Sequence, residues 1–96
     1  MKVSYTDLAF AELEAIYDDL NRVNPQAADR FADRLFQIED QIRMFPSAFQ
    51  HLPNRPRIHR AAFVRFPYLL FYILKKDEAV VVRIIHGARD KPWENL

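Results

Sequence analysis

The chain has 96 residues and a mass of 11.4 kDa, the size of one domain spanning 1–96. Half of it is hydrophobic and 28% charged, a globular composition rather than a disordered one. It has no cysteine and one glycine, which excludes a disulfide scaffold, a thiolate metal site, a cysteine nucleophile and the glycine-rich phosphate loops. The net charge of +1 conceals a segregation: residues 1–40 hold nine acidic and four basic side chains, residues 41–76 seven basic and none acidic. Ten of the fourteen basic residues are arginine, the side chain suited to bidentate contacts with carboxylate or phosphate. The reading is either a solvated basic face or a surface for an acidic partner or nucleic acid.

The opening MKVSYTD is charged and lacks an apolar signal region, and no apolar run reaches about 18 residues. A cytoplasmic protein without a membrane partner is therefore expected. Lys2 to Tyr5 alternate as a strand, and Thr6 or Asp7 can cap a helix. Ala9, Leu13, Ile16, Tyr17 and Leu20 fall on one helical face, with Glu12, Glu14, Asp18 and Asp19 elsewhere. Asn24-Pro25 is a restart signal, an N-cap followed by proline in the first turn. Ala28, Phe31, Leu35, Ile38, Ile42 and Phe45 then form an apolar seam that Pro46 ends. Two helices joined so closely predict an antiparallel hairpin whose seam serves the chain's own core.

Residues 46–57, with three prolines and no periodicity, read as loop. Three β-rich runs follow: Ile58–Phe66, ended by Pro67; Tyr68–Lys75; and, after the polar turn Lys76-Asp77-Glu78, Ala79–His86. The predicted class is α+β: an N-terminal strand, an antiparallel helical hairpin, then a three-stranded antiparallel meander, with the helices packed on one face of the sheet. Strand parity predicts that Val80, Val82, Ile84 and His86 face the helices, leaving Val81, Arg83 and Ile85 on the other side. An arginine within an apolar row needs a partner, which makes Arg83 a candidate binding residue.

The carboxylates do not converge as an acid–base pair would require, since nine of thirteen lie in the first 40 residues. His51, His59 and His86 lack metal-ligand spacing, so no metal and no cofactor are expected. Ser4 and Ser47 have no nucleophile motif around them. RNA cleavage through a 2′-hydroxyl needs only proton-transfer groups and a cation. His86 or His59 could serve, with Arg60, Arg65 or Arg83 as the cation; equally, His86 could cap the last strand and His59 face solvent. Phe63, Phe66 and Tyr68, interleaved with Arg60 and Arg65, could stack bases or fill the core.

The order of elements and several local sequences together resemble the ParE-type toxins of the RelE/ParE toxin–antitoxin superfamily. The matching stretches are Tyr5-Thr6-Asp7, Asn24-Pro25-Gln26-Ala27-Ala28, Phe45-Pro46, Tyr68-Leu69-Leu70-Phe71-Tyr72 and Arg83-Ile84-Ile85-His86-Gly87-Ala88-Arg89-Asp90. The resemblance covers nearly the whole chain and implies a cytoplasmic toxin neutralised by a ParD-like antitoxin. ParE-type members bind and block DNA gyrase without chemistry of their own, so nucleic acid is met only through gyrase–DNA complexes. RelE-type relatives, the alternative, cut mRNA on the ribosome; their pattern carries an arginine at the second position of the strand matching Tyr68–Tyr72, where this chain has Leu69. For the binding reading the candidate partner residues are Arg60, Arg65, Arg83, Arg89 and Trp93. For the nuclease reading they are His86, Arg83, Arg65 and Arg60. An antitoxin's acidic, disordered segment would supply carboxylates for these arginines. Trp93 could anchor a partner or fold back on the helices.

Overall fold

A computed structural model describes residues 1–87 of the chain. Strand β1 (Lys2–Tyr5) leads into helices α1 (Asp7–Val23) and α2 (Pro25–Met44). Strands β2 (His51–Leu52), β3 (Arg55–Ala62), β4 (Tyr68–Leu74) and β5 (Glu78–His86) follow. The five strands form one sheet in the order β1-β5-β4-β3-β2. β1 runs parallel to β5, and every other pairing is antiparallel. The predicted meander is thus present, widened at one edge by β1 and at the other by β2.

Local chemistry sets the helix limits. The Thr6 hydroxyl accepts the Ala9 amide at 3.1 Å, capping α1. Asn24 Oδ1 accepts the amides of Gln26 (3.1 Å) and Ala27 (3.3 Å), and Pro25 opens α2 where its missing N–H costs nothing. The expected apolar faces then meet. Ala9, Phe31, Leu35, Ile38 and Ile42 are buried with Ala61, Leu70, Tyr72, Ala79, Val81 and Ile84 of β3–β5, and Leu13, Ile16, Tyr17 and Leu20 pack against them. At one end Phe31 stacks on Phe63 (centroids 4.7 Å apart) and meets Phe66 and Tyr68 edge-on. These aromatics fill the core.

Three expectations are corrected. Residues 46–57 are not all loop, because β2 forms at His51–Leu52 and β3 begins at Arg55. Pro56 is tolerated there because the β2–β3 pairing shifts register between His51↔His59 and Leu52↔Arg55. Phe45 is 64% exposed instead of completing the α2 seam. It is the C-cap residue with φ −138°, so its side chain leaves the helical spacing that buries Phe31 to Ile42. In β5 it is Ala79, Val81 and Ile84 that join the helix-facing core, not Val80 and Val82. Phe71 pairs with Arg83 while the next residue, Tyr72, pairs with Val81, so Val82 is an extra residue and alternation reverses across it.

Candidate partner-binding site

The bulge at Val82 lies where β1 leaves the sheet. Thr6 donates its amide to the Val81 carbonyl at 3.0 Å and its hydroxyl to the Val82 carbonyl at 3.4 Å, and α1 starts there. β1 pairs only with Glu78 to Val81, so β5 beyond that point has an unpaired edge. Glu12, in the second turn of α1, covers it. Its Oε1 accepts the Ile84 amide at 3.1 Å, and its carboxylate takes Arg83 Nε (3.0 and 3.1 Å) and Nη2 (2.9 Å). Both side chains are largely shielded, at 29% exposed for Arg83 and 19% for Glu12. The hydrogen bonds that the Arg83 guanidinium donates to Glu12 hold its pKa above the ordinary value, against the opposing effect of burial. Arg83 therefore does not stand unpaired on an apolar face, as strand parity suggested; its partner is within the chain.

Arg60 and Arg83 both register opposite Phe71, placing the three residues in one row across β3, β4 and β5. Leu70 and Tyr72, flanking Phe71, join the helix-side core, so alternation puts this row on the opposite face. Arg60 is exposed, whereas Phe71 is fully buried. Arg65 lies apart, in the turn between β3 and β4. The remaining candidates Arg89 and Trp93 fall outside the described residues.

The rings of His51 and His59 meet edge-on at 6.4 Å between centroids, and His86 is not part of that pair. His59 donates Nδ1–H to the Phe49 carbonyl at 2.8 Å and stacks on Tyr72, whose hydroxyl donates to the Pro46 carbonyl at 2.8 Å. Instead of facing solvent, His59 ties the chain before β2 to the sheet. His86 sits at the end of β5, edge-on to Tyr68 at 5.6 Å between centroids. Its neighbour Gly87 donates to the Pro67 carbonyl at 2.7 Å, which fixes the strand end.

Sequence reasoning passed over Glu12, whose role depends on a contact 71 residues away. It also passed over Arg30 and Arg34. Their one-turn spacing was legible, but they belong to a segment whose overall balance is acidic.

Comparison with known proteins supplies the context. The family described as "ParE toxin of type II toxin-antitoxin system, parDE" matches residues 3–91. The chain belongs to the ParE toxin family. Among solved structures, one described as a chromosomal ParDE toxin–antitoxin system from P. aeruginosa is similar at a TM-score of 0.73 and 22% identity. The match covers 90% of this chain and 95% of that one, a likeness of fold. No curated protein sequence matches it significantly. Membership makes the chain a toxin component of a parDE system, with a ParD-type antitoxin as the implied partner. Among the described residues no helix is long and apolar enough to cross a membrane.

Proposed function

We propose that this ParE-family chain acts in the cytoplasm by binding: it inhibits DNA gyrase, performs no chemistry of its own, and is held inactive by a ParD-like antitoxin. The family match over residues 3–91 carries this reading. The side chains support it as well. A nuclease would need a proton-transfer group and a cation converging on a phosphate. Here His59 is held by the Phe49 carbonyl and Tyr72, and Arg83 by Glu12. Leu69 pairs with Ala62 and Ile85 at the position where the nuclease pattern has an arginine. Arg60 and Arg65 are the exposed cations we assign to partner binding, and Arg89 and Trp93 are assigned to it from the sequence alone. Arg83 contributes indirectly, by tying β5 to α1 through Glu12.

The test is plasmid supercoiling by purified gyrase with the folded chain added. Loss of supercoiling with accumulation of linear DNA, reversed by antitoxin, is the expected result. Full gyrase activity at large molar excess of toxin excludes the reading.

A further inference from the structure

The β3–β4 turn and the outer side of α2 border an open cleft of about 690 Å³, lined by Arg30, Asp33, Arg34 and Gln37 of the helix and by Val64, Arg65 and Phe66 of the turn. Three guanidinium groups thus share one concavity with a single carboxylate. The hydrogen bonding of Arg34 is incomplete. Arg34 donates Nη1–H to Gln37 Oε1 at 2.9 Å, but its Nε is shielded from solvent and has no hydrogen-bond partner. A shielded N–H normally has an acceptor, so the Arg34 side chain at the cleft wall is held short of its full hydrogen bonding.

The turn adds a second, independent observation. The Phe66 amide donates to the Phe63 carbonyl at 3.0 Å, closing a four-residue turn with Arg65 at its third position. Arg65 has φ 73°, and it is the only described non-glycine residue at positive φ. Glycine or asparagine is the favoured occupant there, because a larger side chain is strained in this conformation. The chain thus holds an arginine in a costly backbone geometry beside two other arginines and an apolar wall of Val64 and Phe66.

We propose that this cleft is an anion-binding pocket that receives a carboxylate-bearing segment of the ParD-type antitoxin, a deepening that rests on the toxin–antitoxin reading above. The forked guanidinium groups match carboxylate geometry, and Val64 and Phe66 suit the apolar residues of such a segment. Nucleic acid fits less well. Asp33 lies in the cleft, and Asp29 and Asp40 are exposed elsewhere on α2, so a continuous phosphate backbone would run along a helix carrying repelling carboxylates. A peptide can place one carboxylate in the cleft and direct its other residues elsewhere.

The experiment measures binding of the antitoxin from the same parDE pair to wild-type toxin, Arg30→Gln and Arg65→Gly by calorimetry at two salt concentrations. Each variant should bind about tenfold more weakly, the loss expected for one charge-assisted hydrogen bond, with a shallower salt dependence. Arg65→Gly should also melt at the same or a higher temperature, because it relieves the strained φ while removing the guanidinium. A merely structural Arg65 would not combine higher stability with weaker binding. Wild-type affinity in both folded variants overturns the pocket. Failure of the antitoxin to bind even wild type refutes the toxin–antitoxin reading instead. A labelled single-stranded oligonucleotide that binds wild type and requires Arg30 and Arg65 would overturn the assignment to a protein segment.

Discussion

Glu12 satisfies a strand edge and neutralises an arginine at once, so its removal leaves both the Ile84 amide and the Arg83 guanidinium without their acceptor. Because the pair is mostly shielded, it is worth more than an exposed ion pair. Glu12→Ala and Arg83→Ala should each lower unfolding free energy by about 1–3 kcal/mol, the range for charge-assisted hydrogen bonds. The double variant should lose less than the sum of the two, which urea denaturation of the four proteins will show. Any effect of Arg83→Ala on toxicity must therefore be judged against this loss of stability. Tyr5 illustrates the same logic with a proton. Its hydroxyl donates to the buried Glu39 carboxylate, and burial followed by that bond pushes its ionisation well above the ordinary tyrosine range. Burial also raises Tyr72. In the unfolded chain both ionise near about 10, so the unfolded state loses protons first as pH rises. Stability should be constant below that pH and fall above it, and Tyr5→Phe should flatten the fall in an alkaline denaturation series.

At the scale of elements, α2 shows what a sequence pattern conveys and where it stops. The 3,4 spacing locates Phe31, Leu35, Ile38 and Ile42 in the core because helical geometry holds until Met44. It misplaces Phe45, because a cap residue no longer obeys that geometry. The contrast is measurable. Phe31→Ala removes the ring that contacts Phe63, Phe66 and Tyr68 and should cost roughly 3–5 kcal/mol. Phe45→Ala, at an exposed position of the same apparent seam, should change stability by less than about 0.5 kcal/mol. Thermal melts followed by circular dichroism separate the two. The strands were legible for the same local reasons, as runs of branched and aromatic residues between turns. The bulge at Val82 was not, because it arises where Thr6, from the other end of the chain, takes the carbonyls of Val81 and Val82. The candidate site followed suit: Arg60 and Arg65 were visible as cations, while the partner of Arg83 was hidden by sequence distance.

At the scale of the whole molecule, the chain closes on itself through its last described strand. β5 lies between β1 and β4, so the N-terminal strand joins the sheet only through residues near the other end. The Ser4 hydroxyl donating to Glu78 Oε2 at 2.9 Å, the Thr6 contacts and the Glu12–Arg83 pair all cross this same seam. Such long-range contacts are formed against the entropy of closing a long loop, roughly 0.6 kcal/mol for each doubling of its length. Their stabilisation therefore comes only when most of the chain is present. A fragment ending at Lys76 keeps both helices and the β3–β4 pair, yet it loses Ala79, Val81 and Ile84 from the core and exposes edges on β1 and β4 together. Unpaired edges beside an open apolar face are also a route to aggregation. This fragment should show helical signal without a cooperative thermal transition and should elute as aggregate on gel filtration. A sharp, monomeric melt would mean that the helical hairpin with β3 and β4 is a folding unit by itself, and that β5 only docks onto it.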